Sequence, residues 1–214
     1  MSDNEIRLSG NETLRSIKNR RSVRMFLDRT VSDDDLQAIL HAANQAPSAH
    51  NQQSWRFVVL KGKVKDELAN LVNAKADSFP KPSSVLLRLA SRSIVSSPVV
   101  IAVANSGELI TRGTELFKVD KNTAQDFFRI MEIQSSAAAV ENLLIAATSL
   151  GLSAVWLGVL VLVKNDILKF IGEPPEGEFM AVIPLGYAAK AGEGPKKRPL
   201  EMVVRHLDRD APLK

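Results

Sequence analysis

Residues 134–163 read QSSAAAVENLLIAATSLGLSAVWLGVLVLV, and no charged residue follows Glu141 in this stretch. The part before Gly151 is rich in Ala and Leu, which favour a helix, whereas the part after it is rich in Val, which favours a strand. Glycine readily adopts the left-handed conformation that ends many helices. We therefore predict a helix over Gln134–Leu150, apolar nearly all round and in the middle of the fold, followed by a tight turn and a buried strand over Ser153–Leu157.

The uncharged segment Leu143–Val163 is also long enough to cross a bilayer. Thr148, Ser149, Gly151 and Ser153 interrupt it, and this favours a buried helix and strand over a membrane span. The span remains the alternative, and solubility without detergent would exclude it. The first ten residues, MSDNEIRLSG, lack the apolar core of a secretory signal, so we expect a cytoplasmic protein that does not enter the membrane.

Strands and helices alternate along the rest of the chain, which indicates an α/β or α+β sandwich. Ser32 precedes acidic residues and then apolar residues at helical spacing, as expected of an N-cap. At 214 residues the length favours one domain with extensions. The predicted helices are Asn11–Asn19, Asp33–Asn44, Val64–Ala76 and a stretch around Val85–Ala90. The other predicted strands are Trp55–Leu60, Val99–Ala104, Phe179–Tyr187 and Met202–His206. Residues 105–130 are predicted to be a variable excursion over the site, and residues 192–214 a C-terminal extension.

The composition and the missing motifs exclude several classes of functional site. The chain has no cysteine, which excludes disulfides, thiolate nucleophiles and cysteine-bound metal clusters. Its three histidines are far apart in sequence, so we expect no metal site. Dinucleotide-binding Gly-x-Gly-x-x-Gly, Walker-type and Gly-x-Ser-x-Gly motifs are missing. The net charge of +4 fits a nucleic acid, an anionic membrane surface or a phosphorylated small molecule as partner.

Three polar clusters carry the candidate chemistry. Residues 20–24 (RRSVR) offer guanidinium groups and a hydroxyl that suit a phosphate, although arginines after a helix also cap its C-terminus. Residues 46–55 (APSAHNQQSW) place hydroxyl and amide groups beside an aromatic ring, which suits the edge of a planar heterocycle or forms an ordinary polar turn. Residues 196–198 (KKR) form a solvated basic tail unless the tail folds back, in which case Lys196 and Arg198 suit one phosphate.

Together these clusters resemble the nitroreductase-like flavoprotein family. Residues 14–26 (LRSIKNRRSVRMF) are similar to its opening, residues 46–59 (APSAHNQQSWRFVV) to its second motif, and residues 134–158 to its central helix and following strand. The segments 183–188 (IPLGYA) and 195–204 (PKKRPLEMVV) are similar to its closing part. Four motifs in the family's order make the resemblance specific.

The resemblance implies a three-layer α/β/α sandwich of the α+β class. Its sheet is mixed and mostly antiparallel, with helices on both faces. The resemblance also implies one domain over residues 1–214, FMN at a homodimer interface, and a C-terminal tail exchanged onto the partner subunit. Arg20, Arg21, Ser22 and Arg24 would approach the phosphate, the ribityl chain and the N1/O2 side of the flavin, and Lys196 and Arg198 would complete the phosphate grip. Pro47, Ser48, Asn51 and Gln53 would reach the flavin from the partner, and Leu157, Gly158 and Val159 would lie along the ring.

The implied function is an FMN-dependent oxidoreductase that passes hydride from NAD(P)H through flavin N5 to an electron-poor acceptor such as a nitroaromatic or quinone, by a ping-pong mechanism. The cofactor does the redox work, so no catalytic side chain is expected. The alternatives are a dehalogenase, flavin-fragmenting or azoline-oxidising enzyme of the same fold, and a non-catalytic flavin- or nucleic-acid-binding protein. Aromatic residues make up only 5% of the chain, which argues against nucleic acid.

This sequence departs from the family pattern at three positions. Ser54 stands where proline is common, Ser135 where aspartate is common, and Val159 where a second glycine is common. We expect Ser54 to affect only the stiffness of its loop. Because valine is larger than the glycine common in the family, Val159 leaves open which backbone N–H would contact flavin N5.

Overall fold

A computed structural model of the protein describes residues 10–174, 177–190, 192 and 194–207. The helices of this part of the chain are α1 Glu12–Asn19, α2 Asp33–Asn44, α3 Gly62–Lys75, α4 Ser83–Ser96, α5 Glu108–Leu116, α6 Lys121–Ser149 and α7 Lys164–Ile171. The strands are β1 Trp55–Lys61, β2 Val99–Asn105, β3 Ser153–Ala154 and β4 Glu178–Gly186, and 3-10 turns occupy Ala49–Asn51, Ala76–Ser78, Gly158–Val163 and Leu200–Met202.

The four strands form one sheet in the order β1-β2-β4-β3, and all neighbours are antiparallel. Central strand β2 has every residue buried, and its Ala102 lies opposite Val58 on one side and Val182 on the other. A parallel bridge between Ser22 and Ala154 makes the pairing mixed. This confirms the expected mixed, mostly antiparallel sheet.

Helices cover both faces of this sheet because the residues of β2 alternate between two cores. Val100, Ala102 and Ala104 pack in one core, which includes apolar side chains of α3, α4 and α7. Val99, Ile101 and Val103 pack in the other, with side chains of α2 and α6. Fully burying a side chain such as Leu or Val contributes about 1.5–3 kcal/mol, so these two cores hold the layers together. The three-layer α+β sandwich is therefore confirmed.

The uncharged segment around Gly151 divides as predicted. Helix α6 ends at Ser149, Gly151 adopts a left-handed φ of 74°, and β3 begins at Ser153. Among the residues that the structure describes, none of the helices combines the length and apolarity that a membrane crossing requires. The strand is shorter than the predicted Ser153–Leu157, although the Val155 and Leu157 N–H groups still donate to β4 carbonyls at 3.3 and 3.0 Å.

Residues 105–130 contain more regular structure than the sequence suggested. They hold helix α5 and the first part of α6, which begins at Lys121 instead of Gln134. The Asp120 side chain caps α6 by accepting a hydrogen bond from the Thr123 backbone N–H. The polar character of this first part hides its helical periodicity.

The predicted last strand, Met202–His206, is wrong. The described tail forms a 3-10 turn at Leu200–Met202 and continues without regular structure, exposed to solvent. Residues 193 and 208–214 of the predicted C-terminal extension lie outside the described residues.

An aromatic cluster joins α5 to α6. The Phe117, Phe127 and Phe128 ring centroids lie 5.1–5.4 Å apart, and Phe128 is buried while the other two are exposed. Gly113 of α5 lies directly against Phe128: a Cβ added to it would overlap the ring. Only glycine permits this approach of the two helices.

We predict that Gly113→Ala destabilises the protein by about 1–3 kcal/mol, because the added methyl must displace the Phe128 ring. Thermal or urea unfolding of the purified variant measures this loss. Gly10→Ala is the matched control, since a Cβ there meets nothing within 4 Å. Equal stability of the Gly113 variant and wild type would contradict the prediction.

Candidate functional site

The arginine segment, residues 20–24, runs beside β3. Ser22 pairs with Ala154, and the Val23 backbone N–H donates to the Ala154 carbonyl at 3.1 Å. Because Gly158 follows Ala154 by four residues, the first predicted cluster lies next to the strand that leads into Leu157, Gly158 and Val159.

The three arginines of this segment differ in their hydrogen-bond and ion-pair partners. Arg20 Nε lies 3.4 Å from Glu141 Oε1 of α6. The Arg21 guanidinium donates to the carbonyls of Lys18 and Arg20 at 2.7 and 2.9 Å, so it caps the end of α1. Arg24 is exposed, and its guanidinium has no hydrogen bond or ion pair with any described residue. Arg24 is therefore the cation most available to an anionic ligand.

The C-terminal tail returns to this segment within the same chain. Gly194 has a left-handed φ of 73°, and a Cβ added to it would lie 2.7 Å from Arg21 Cδ and 2.9 Å from Nε. Lys196 and Arg198 follow at once; both are exposed, and neither side chain pairs with another described residue. The folded-back tail, one of the two interpretations left open by the sequence, brings the two basic ends of the chain together.

Gly194→Ala is predicted to displace the tail from Arg21, since alanine is strained at this φ and its methyl overlaps the arginine side chain. If the tail cations bind an anion, its affinity falls by about threefold to tenfold, as for one lost hydrogen bond. Titration with FMN tests this. Gly192→Ala is the control because a Cβ there meets nothing within 4 Å; equal affinities of the two variants would contradict the prediction.

The polar loop, residues 47–54, is held in an unusual conformation. His50, Asn51 and Gln53 have φ values of 52°, 52° and 51°, in the left-handed region that costs a non-glycine residue about 1–3 kcal/mol. Internal bonds maintain it: Gln53 N–H donates to Ser48 Oγ at 3.1 Å, and Gln53 Nε2 donates to Asn51 Oδ1 at 2.9 Å. Three of the predicted residues, Ser48, Asn51 and Gln53, are thus fixed together, while Pro47 is exposed beside them.

Helix α6 anchors this loop. The Ala49 backbone N–H donates to Ser135 Oγ at 3.0 Å, and the same hydroxyl donates to the Met131 carbonyl at 2.7 Å. At the other end of the loop, Trp55 Nε1 donates to Asn44 Oδ1 at 2.9 Å. Ser135 therefore supplies an acceptor where an aspartate is expected, with a neutral group instead of a charge.

Of Leu157, Gly158 and Val159, only Gly158 is fully exposed. The Leu157 side chain is buried in the core, and its backbone N–H donates to the Val182 carbonyl at 3.0 Å. Val159 packs partly against the same core. A Cβ on Gly158 would meet only the Trp156 ring, at 3.8 Å. Gly158 is therefore the position of the three that a ligand could approach, whereas the Leu157 side chain belongs to the hydrophobic core.

Sequence reasoning missed a buried polar cluster formed by Glu132, Ser136 and Asn105. Glu132 is 1% exposed and its Oε1 accepts from the Leu109 backbone N–H at 2.9 Å. Ser136 Oγ donates to Asn105 Oδ1. Glu132 Oε2 and Asn105 Nδ2 are buried without a partner among the described residues. The signal in the sequence was a glutamate one helical turn before Ser136, on the buried side of α6.

Burial raises the pKa of the Glu132 carboxyl above its ordinary value, while hydrogen bonds from the Leu109 backbone and the Ser54 hydroxyl oppose part of the rise. Ser54 itself is buried, with 3% of its surface exposed. The folded protein binds the Glu132 proton more tightly than the unfolded chain does. The stabilisation from this proton is complete below the unfolded-state pKa and is lost as pH rises through the folded-state pKa.

We predict that, as the pH rises above the ordinary glutamate pKa of about 4.3, wild type loses more stability than Glu132→Gln, which cannot titrate there. Between the unfolded-state and the folded-state pKa of Glu132, the change in unfolding free energy of wild type relative to the variant is at most about 1.4 kcal/mol per pH unit. Urea unfolding at several pH values measures it. If the free energy of unfolding depended on pH in the same way in both proteins, the raised pKa of Glu132 would be contradicted.

A groove of about 370 Å³ lies between α5 and α6. It contains none of the predicted site residues; its walls are Ile110, Thr111, Thr114, Glu115, Lys121 and Gln125. Apart from the buried Leu157, the predicted residues are exposed or partly exposed on this chain.

Comparison with known proteins gives a consistent result. The sequence profile described as the nitroreductase family matches residues 17–187. An Archaeoglobus fulgidus protein provisionally named NADH dehydrogenase/NAD(P)H nitroreductase is 29% identical over 178 residues, which are 82% of this chain and 85% of that protein. The iodotyrosine dehalogenase 1 homolog of Caenorhabditis elegans is 27% identical over 203 residues, which cover 88% of this chain and 59% of that protein.

A solved structure has a similar fold. The crystal structure of a provisionally named nitroreductase from Desulfovibrio desulfuricans, in complex with FMN, superposes with a TM-score of 0.70 at 28% identity. The match covers 92% of this chain and 98% of the other. The resemblance noted in the sequence is therefore confirmed at the level of both sequence and fold.

Proposed function

Because the chain belongs to the nitroreductase family, we propose that it is an FMN-dependent oxidoreductase that uses NAD(P)H to reduce an electron-poor acceptor such as a nitroaromatic or a quinone. Relatives carry NAD(P)H nitroreductase names, and the similar Desulfovibrio desulfuricans structure contains FMN. We assign the whole of residues 1–214 to one domain. Its cytoplasmic location stays a prediction.

One observation supports this proposal: three features of the chain match three parts of FMN. Unpaired cations suit its phosphate, an exposed glycine suits the face of its ring, and the strained polar loop suits the polar edge of the ring. The FMN phosphate is a dianion that guanidinium groups bind in bidentate fashion, and Arg24, Lys196 and Arg198 have no other partner among the described residues. Gly158 exposes backbone where a flat ring needs close approach. The amides of Asn51 and Gln53 suit the N–H and C=O groups at the edge of the flavin.

When bound, the flavin would supply the redox chemistry, which is hydride uptake from NAD(P)H at N5 and delivery of the electrons to the acceptor in a ping-pong sequence. The side chains of this protein bind and orient. Arg20, Arg21, Ser22 and Arg24 are assigned to the phosphate, the ribityl chain and the N1/O2 side, with Lys196 and Arg198 at the phosphate. A cation near N1 and O2 favours the reduced, anionic form, which raises the reduction potential.

We also propose a homodimer with the flavin at its interface, in which Pro47, Ser48, Asn51 and Gln53 reach the flavin of the partner subunit. Exposed apolar side chains support this: Leu200 and Met202 of the tail are 69% and 70% exposed, and Leu14 and Ile17 project from α1. Large apolar side chains exposed together on one segment are typical of an interface. The tail would then pack against the partner after Lys196 and Arg198.

The decisive experiment begins with the absorbance spectrum of the purified protein, with and without added FMN. We expect a flavin band near about 450 nm, bleached by NADH or NADPH under anaerobic conditions and restored by a nitroaromatic or quinone. Light scattering should give twice the mass of one chain, which is 23.4 kDa. A protein that binds no FMN would overturn the proposal, and a monomer would overturn the interface.

The similarity to the Caenorhabditis elegans dehalogenase homolog favours one second candidate, a reductive dehalogenase of the same fold. A flavin-loaded protein that reduces neither nitroaromatics nor quinones but releases iodide from an iodinated tyrosine would establish it. If every such reaction failed with flavin bound, flavin fragmentation and azoline oxidation are the next reactions to assay.

A further inference from the structure

Helix α6 holds three separate segments through side chains within about one helical turn of each other. Glu132 accepts from Leu109 at the start of α5, Ser135 accepts from Ala49 in the polar loop, and Ser136 donates to Asn105 at the end of β2. These three side chains are buried. The start of α5 and the polar loop are therefore fixed to one rigid support.

The start of α5 depends on Glu132 for its capping. Its N-cap is Gly107, with a left-handed φ of 76° and no side chain to accept from the first turn. The first N–H groups of a helix lack intrahelical partners, and a carboxylate there also interacts favourably with the helix dipole. Ser106 Oγ accepts from the Glu108 N–H only at 3.4 Å, and Glu132 supplies from α6 the shorter, buried cap at the Leu109 N–H.

Direct contacts also connect α5 to the polar loop. Ser106 N–H donates to the Ser54 carbonyl at 2.9 Å, and Glu108 accepts from Gln52 Nε2 at 3.3 Å. Arg56 adds an ion pair to Glu108 at 2.8 Å, but both side chains are exposed, so this contact is weak. The buried contact from Glu132 is the stronger constraint on α5.

We propose that Glu132 is a positioning residue that fixes α5 against the polar loop and thereby sets the shape of the acceptor side of the site. This inference rests on the proposed function, in which the polar loop contacts the flavin and residues 105–130 cover the acceptor. Glu132 does not itself meet the substrate, since it is buried beneath α5. Its removal leaves the Leu109 N–H without its acceptor while both cores of the sandwich stay intact.

The test compares Glu132→Ala, Glu132→Gln and Asp126→Asn, the last being an exposed carboxylate on the same helix. The first readout is amide hydrogen exchange of the flavin-free protein. We expect Glu132→Ala to lower protection of residues 108–116 by about tenfold or more while protection of β2 stays at wild type. Glu132→Gln keeps an acceptor oxygen for the Leu109 N–H, so we expect its protection to stay within about twofold of wild type. Asp126→Asn should change nothing.

The second readout is steady-state kinetics of the flavin-loaded enzyme. We expect the acceptor KM of Glu132→Ala to rise by about tenfold, with a smaller change in the KM of NAD(P)H, and Glu132→Gln to restore most of the loss. Unchanged protection of α5, an equal loss in α5 and β2, or an unchanged acceptor KM would overturn the inference. If Glu132→Ala does not fold, Glu132→Met, which fills the space but offers no oxygen acceptor, takes its place in the same comparison. If the protein binds no flavin, the proposed function fails, whereas the exchange experiment still tests the capping of α5.

Discussion

Arg24→Ala is expected to weaken FMN binding by about 10- to 100-fold, the usual loss for one or two hydrogen bonds to a charged group. The Arg24 guanidinium is exposed and unpaired among the described residues, so its removal breaks no contact of the free protein. Its backbone carbonyl, which accepts from Ser96 Oγ, is retained. Fluorescence titration of FMN measures the affinity, and thermal unfolding of the flavin-free protein should show no change.

The same substitution should lower the reduction potential of any flavin that stays bound, because the charge on the N1/O2 side is lost. Anaerobic redox titration measures this shift. Arg92→Ala, at an exposed arginine of α4, removes the same charge without touching the proposed site. If both variants weaken FMN binding equally, the effect is one of net charge, and the assignment of Arg24 is wrong.

Gly158→Val is expected to lower kcat/KM by about 100-fold, since a misplacement of about 1 Å between reacting groups has an effect of this order. The protein itself accommodates a side chain here: a Cβ would meet only the Trp156 ring at 3.8 Å, and Gly158 does not have a left-handed φ. The loss is therefore expected only if a ring lies over Gly158. Steady-state assays with the flavin-loaded enzyme measure it.

The control for this prediction is Val161→Ala, at an exposed position of the same 3-10 turn. We expect wild-type rates from it and unchanged melting temperatures from both variants. A Gly158→Val enzyme with wild-type kcat/KM would show that the reacting ring lies elsewhere. A large fall in melting temperature would show that Gly158 is needed for the fold instead.

Local signals predicted the elements that depend on local chemistry. Helix α2 spans Asp33–Asn44 as expected, because the Ser32 hydroxyl accepts from Asp35 N–H and the apolar residues repeat at helical spacing. Strand β2 is likewise read correctly, since a short run of β-branched and small apolar residues after Pro98 has few other structures available. Elements with a polar exposed surface, such as α5, gave no such signal.

The sequence by itself determined the family and the fold class, because the order of motifs and the apolar runs are properties of the chain. It also named the three clusters of candidate residues. Only the tertiary structure decided that Gly194 lies against Arg21, that the Leu157 side chain is buried, and that Glu132 caps α5. These facts depend on the packing of segments far apart in sequence, and no local pattern encodes which partner a buried carboxylate or a tail residue meets.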